Sequence, residues 1–390
     1  MTDMTDTFET SSCSQWSAVF SSWSLREQLG KSDGSDLVLR NRIVMAPMTR
    51  RFAGEDGVPT AEMANYYQKR AAGEVGLIIS EGTAVDSLHA YDTKTVPRFE
   101  TEEQIEGWKR IVDVVHEEGG AFAPQLWHCG RLSADPIGPS TVSAEDLSRK
   151  ADGSARPGIR GMNDNDFSQV ESAFAEAAKK AKLIGCDAVE LHGAHGYLLD
   201  SFLSSATNKR RDDYGGPLEN RMRFPLRVVR AVRSAVGDDY PIIYRFSQWR
   251  IDDFNDVKFK DPDELGVWVN ALKEAGVDVL HASTRSAVAP GFPEVDGERT
   301  LAGWARKLSG LPVIAVGKIS VTLTMDEAFG EREDAVSDPG YAFDLIERNE
   351  ADLLAVGRAL IANPDWVRIV RDEDWHQLKP FDRVQLVRLV

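Results

Sequence analysis

Eight short runs rich in Val, Ile, Leu and Ala punctuate the chain, and longer amphipathic stretches separate them. No other feature restricts the fold as much, because buried strands alternating with helices build βα units around a parallel sheet. The runs predict strands over residues 42–48, 77–83, 121–128, 188–192, 242–247, 279–283, 313–316 and 353–356. Helices are predicted over 102–118, 171–184, 221–236 and 265–275. In the first of them Ile105, Trp108, Ile111, Val112 and Val115 cover one face, and Gly119-Gly120 supplies a C-terminal stop. Eight strands are the number that closes a barrel. A doubly wound open sheet is the rival, but no GxGxxG follows the first strand. The predicted fold is therefore α/β, a (β/α)8 TIM barrel in a single domain with loop insertions. Residues 1–36 form an N-terminal extension that caps the barrel bottom, 37–370 the barrel, and 371–390 a C-terminal tail. The stretch 129–166, rich in Gly, Pro and Ser, is long enough to be an active-site loop or flap, and 331–340 is a second, acidic insertion.

Charge and cysteine usage narrow the partners. A net charge of −16 opposes a nucleic-acid or anionic-membrane partner, while an anionic cofactor needs only a local positive pocket. No stretch approaches the roughly 20 apolar residues of a membrane span. The start MTDMTDTFETSSCSQWS has neither a basic region nor an apolar run, so a cytoplasmic location is expected. Cys13, Cys129 and Cys186 lie far apart and form no CxxC pair, which speaks for incidental thiols rather than a disulfide, zinc or iron–sulfur site.

In a barrel, polar residues at the C-terminal strand ends face the site. The ends here carry Pro47-Met48-Thr49, Gly82-Thr83, Gln125-Leu126-Trp127-His128, His192 to Tyr197, and Arg245. His192 and His195 have three readings at this point. They could be two ligands of a metal that lacks a third. They could be two donors to an oxygen gaining negative charge, with Tyr197 as the proton donor. They could also be structural histidines at a strand end. Arg245, emerging from a buried strand, calls for an anionic partner or a salt bridge inside the barrel. Gln125, both donor and acceptor, suits a heterocycle edge. Trp127 shapes a pocket or fills core. Gly317, Gly357 and Arg358, at the ends of the seventh and eighth strands, fit a phosphate cradle. Asn363-Pro364 reads as the start of a final helix.

These blocks carry a family likeness. The run Asn41 to Thr49, the His192–Tyr197 block, Arg211-Asp212-Asp213-Tyr214-Gly215-Gly216 with Glu219-Asn220-Arg221, and Gly357-Arg358 together resemble the old yellow enzyme family. The resemblance spans about residues 39–367, in family order. It implies FMN held without a covalent link, NAD(P)H as hydride donor, and a small activated alkene as the partner. Ala46, Pro47, Met48 and Thr49 would line the flavin, Gly82 would lie against its ring, and Gln125 and Arg245 would face its pyrimidine edge. Gly317, Gly357 and Arg358 would hold its phosphate. His192 and His195 would bind the substrate oxygen in a pocket shared with Trp127, and Tyr197 would protonate the α carbon in a ping-pong cycle. The run departs from the family at Arg51, at the loops 129–166 and 331–340, at Phe246-Ser247-Gln248-Trp249 and in the short tail after Phe381. Those departures bear on the substrate. Two other readings stand beside this one: a metal-dependent aldolase or hydrolase using His192 and His195, and a flavin-binding redox sensor without turnover. The choice of NADH or NADPH and any homo-oligomer stay open.

Overall fold

A computed structural model describes residues 16–31, 36–86, 88–147, 154–328, 330 and 332–390. Cys13, parts of the N-terminal extension (1–15 and 32–35), residues 148–153 of the long loop and residue 331 of the acidic insertion lie outside them. Strands buried on both faces need helices around them, and the chain supplies both in turn. The strands are β1 Ile43–Met45, β2 Leu77–Ala84, β3 Ala121–Trp127, β4 Val189–His195, β5 Ile242–Arg250, β6 Val279–Ser283, β7 Val313–Val316 and β8 Leu353–Val356. Each pairs in parallel with its sequence neighbours, and β8 pairs with β1, so the sheet closes. The predicted (β/α)8 barrel is the fold.

The helices that follow the strands are α1 Ala61–Ala72, α2 Glu102–Glu117, α3 Asp164–Leu183, α4 Leu218–Val236, α5 Pro262–Ala275, α6 Leu301–Ser309, α7 Gly340–Glu347 and α8 Trp366–Arg371. Thr101 and Gln104 close a reciprocal capping box at the start of α2. Asn163 and Asp166 do the same for α3. That cap starts α3 about two turns before the predicted residue 171, because Asp166, Phe167 and Val170 already belong to its buried face. Strands β4 and β5 outrun their predicted ends, reaching His195 and Arg250, so that both carry site residues beyond the barrel rim. Asn363 opens no helix. It closes the short helix Arg358–Ala362, its side chain bonding Ala359 O and Lys379, and α8 begins only after Asp365.

Two hydrophobic layers hold this arrangement. The outer one lies between strands and helices and contains Trp108, Trp268, Trp366 and Phe174. The inner one fills the barrel with Val44, Leu77, Ala121, Ile243, Val279, Ile314 and Leu353. Trp23, Leu25, Leu37 and Leu39 join this inner layer. Trp23–Ser24 pairs antiparallel with Val38–Leu39, so a small hairpin lies beneath the N-terminal strand ends as a floor. The polar residues are left for the opposite end.

Candidate active site

Strand register builds the site. His192 on β4 pairs with Arg245 on β5, which pairs with His281 on β6. One level nearer the floor, Gln125 on β3 pairs with Glu190 on β4. These side chains meet within the barrel mouth and are buried.

The two imidazoles stand with ring centroids 5.1 Å apart and nearly perpendicular. His195 has φ 65°, a left-handed backbone that turns its ring toward His192. It stacks on Trp249 at 4.3 Å. Tyr197 meets His192 and Trp127 edge-on, each at 4.9 Å. Trp127 packs over Gly82, where an added Cβ would come 2.6 Å from the indole. Histidines, phenol and indole thus form one cluster.

Protonation follows from the hydrogen bonds. Burial, helped by the nearby Arg245 charge, pushes both histidines well below the usual imidazole range, so both are neutral near pH 7. His192 Nδ1 accepts from Ala194 N–H at 3.3 Å, which assigns its proton to Nε2. Ser283 Oγ accepts from Arg245 Nη2 at 3.2 Å, and an arginine can only donate. Ser283 Oγ, with a second lone pair and its own proton still available, also meets His195 Nε2 at 2.8 Å, a contact in which either partner can donate. The His192 ring thus keeps its Nε2–H to offer. Burial also raises the Tyr197 phenol, which stays protonated at neutral pH.

Below them lies a charged layer. Gln125 Nε2 donates to Glu190 Oε1 at 2.7 Å, which turns its carbonyl oxygen away from that carboxylate. His281 Nδ1 holds Glu190 Oε2 at 2.5 Å. Burial pushes the Glu190 carboxyl up, but His281, Arg245 and Gln125 outweigh it and leave the net shift downward. Arg245 has no carboxylate within salt-bridge distance among the described residues, and its Nε lacks any partner. A buried cation with an orphaned donor fits an anionic or electron-rich heterocycle above it.

Ala46 follows β1 and is buried, and Pro47, Met48 and Thr49 come next at the rim. Glu81 on β2 fixes this loop, its Oε2 accepting Arg50 and Arg51 N–H at 2.9 Å each. Gly317 and Gly357 end β7 and β8. A Cβ at Gly357 would meet Met48 Sδ at 3.5 Å, so the cradle approaches the Pro47–Thr49 loop closely. The Arg358 guanidinium is already engaged, by Asp334 at 2.7 Å and by Leu323 O. The acidic insertion thus contributes a carboxylate to this end of the site.

A family model described as NADH:flavin oxidoreductase / NADH oxidase matches residues 34–374. The chain belongs to that family. It is 37% identical over 352 residues to 12-oxophytodienoate reductase 7 of Oryza sativa subsp. japonica, covering 85% of this chain and 84% of that one. It is 34% identical over 360 residues to an NADH oxidase of Thermoanaerobacter brockii, covering 88% of this chain but only 50% of the relative. The structure of morphinone reductase in complex with tetrahydroNAD superposes with a TM-score of 0.75 at 30% identity, over 95% of this chain and 94% of that one. The old yellow enzyme likeness is thereby established, with FMN as the cofactor and NAD(P)H as the hydride donor of a flavin-dependent oxidoreductase. Among the described residues no group of three His, Cys, Asp or Glu could hold a metal ion. Nor is any helix there long and apolar enough to cross a membrane.

Glu190, His281 and Ser283 carry no role in the sequence reading, and Trp249 enters it only within the run Phe246 to Trp249 that departs from the family. Period-two alternation could have found Glu190, two residues before His192 on the same inward face, and likewise His281 and Ser283 on β6. Trp249 had no such signal, because β5 was expected to stop at Ser247.

Proposed function

We propose that this enzyme uses NAD(P)H to reduce the C=C bond of small electron-poor alkenes such as enones and nitroalkenes. One observation carries the reading: two neutral imidazoles and a protonated phenol converge at the mouth above a buried arginine whose Nε lacks a partner. His192 Nε2–H and the His195 imidazole would bond the carbonyl or nitro oxygen, drawing electron density from the β carbon. Tyr197 Oη–H would give its proton to the α carbon, a contribution of about 10²–10⁴-fold. Ala46, Pro47, Met48, Thr49 and Gly82 would line FMN, and Gln125 would accept from its pyrimidine edge. Arg245 would place positive charge there, and Gly317, Gly357 and Arg358 would hold the phosphate. When bound, FMN supplies the chemistry of accepting hydride from NAD(P)H and delivering it to carbon. Trp127, packed edge-on against Tyr197, would line the pocket beside the donor.

The test is a pair of half-reactions. Purified protein should be yellow, release FMN on acid precipitation, bleach with NADH or NADPH without oxygen, and recolour with 2-cyclohexenone. Protein that bleaches but recolours no faster with any enone or nitroalkene would be a flavin-binding sensor instead. The buried, protonated Tyr197 favours turnover, since a binder has no use for an acid.

A further inference from the structure

Two buried charges outside the reacting cluster call for a role. Lys258, in the segment between β5 and α5, and Asp200, in the short helix Leu198–Leu203, form an ion pair at 3.2 Å with side chains 1% exposed each. Pairs this deep contribute little net stability, because desolvating both charges offsets their attraction. Their hydrogen bonds say what they hold. Asp200 Oδ2 accepts Gly196 N–H at 2.6 Å. Lys258 Nζ donates to Ser247 O at 3.0 Å and Trp249 O at 2.9 Å. Ser247 Oγ donates to Trp249 O and accepts His195 N–H at 3.0 Å. Both backbone donors of the left-handed turn at His195 and Gly196 are therefore fixed by this cluster. That turn presents the His195 imidazole on one side and the Tyr197 phenol on the other. Trp249, whose carbonyl Lys258 holds, is the indole on which His195 stacks.

We propose that the Lys258–Asp200 pair is a positioning device for the reaction, locking the end of β5 to the His195–Tyr197 turn so that oxygen binding and proton delivery keep one geometry. The inference rests on the roles proposed above for His195 and Tyr197. Neither charge touches the reacting atoms. Lys258 acts through Ser247 and Trp249, and Asp200 through Gly196. Around the pair stand Asp256, which bonds Ser204 Oγ and lies 3.5 Å from Arg250, and the orphaned Oδ1 of Asp200 itself. Among the described residues no second cation reaches Asp200, so removing Lys258 leaves a buried carboxylate free to repack the turn.

The test uses FMN-loaded enzyme and a phenol such as 4-hydroxybenzaldehyde, whose oxygen reports the imidazole pair by a long-wavelength charge-transfer band. Lys258→Met should leave FMN affinity within about twofold while phenol affinity and cyclohexenone reoxidation fall together by roughly ten- to a hundredfold. Asp200→Asn should behave alike, and it serves if the lysine variant does not fold. In the double variant the two losses should not add, since the groups work as one unit. A lowered melting temperature with unchanged phenol affinity would show a merely structural pair and overturn the proposal, as would additive losses. If the parent enzyme itself gives no phenol band, the imidazole reading fails first and the positioning role falls with it.

Discussion

Tyr197 is held edge-on by Trp127 and His192, and its phenol keeps its proton because burial disfavours the anion. Tyr197→Phe should therefore slow alkene reduction by about 10²–10⁴-fold and spare NAD(P)H oxidation. Stopped-flow measurement of each half-reaction separates the two, and equal loss in both would contradict the role. A second residue gives a pH signature. Glu81, 2% exposed, is pushed up to about 7 by burial, against an ordinary value of 4.5. A carboxyl raised in the folded state favours folding while protonated, so its effect is most favourable below pH 4.5. It fades as pH climbs toward 7 and is constant above that, about 3 kcal/mol in all. His128, lowered by burial to about 4, acts in the opposite sense as pH falls below 6.5. Glu81→Gln keeps an acceptor for Arg50 and Arg51 and should remove the Glu81 slope alone. Denaturant unfolding of parent and variant from pH 5 to 8 would show their difference shrinking toward low pH.

Between elements, close approach decides what a strand tolerates. Gly193 on β4 faces Tyr244 of β5, and an added Cβ would come 2.1 Å from the Tyr244 hydroxyl. Gly193→Ala should destabilise by about 1–3 kcal/mol. The Tyr244 Oη is buried without a partner, so Tyr244→Phe should be neutral or slightly stabilising and should relieve part of the alanine's cost. Urea unfolding of the three variants checks this, and full additivity would place the clash on the Tyr244 ring carbons, 2.2 and 2.4 Å from that Cβ, and not on its hydroxyl. Such approaches are what sequence conceals. The eight strands were legible because inward and outward faces of a parallel strand are both apolar, and β6, β7 and β8 match their predicted bounds. The His192–Tyr197 block and Arg245 were legible as polar residues at strand ends. The extra reach of β5 was not, since Gln248-Trp249-Arg250 has no apolar alternation and is held by Lys258 and Gln248 bonds to distant backbone. Nor was the tie between Arg358 and Asp334, because partners 24 positions apart carry no pairing signal.

At the scale of the whole molecule, floor and mouth lie at opposite ends of one barrel. Trp23, 2% exposed, belongs to the hairpin that fills the lower end. Trp23→Ala should cost about 3–5 kcal/mol, seen as a lower unfolding midpoint, while the fraction of sites carrying FMN in folded protein stays near that of the parent. A parallel loss of FMN at temperatures where the variant is folded would mean that the two ends are coupled. The plug has a kinetic corollary. In the cycle proposed above both reactants would share the mouth, so the visitor bringing reducing equivalents would have to leave before the one that takes them enters. Initial-rate plots against one reactant at several levels of the other should run as parallel lines, and an excess of either should crowd out its counterpart.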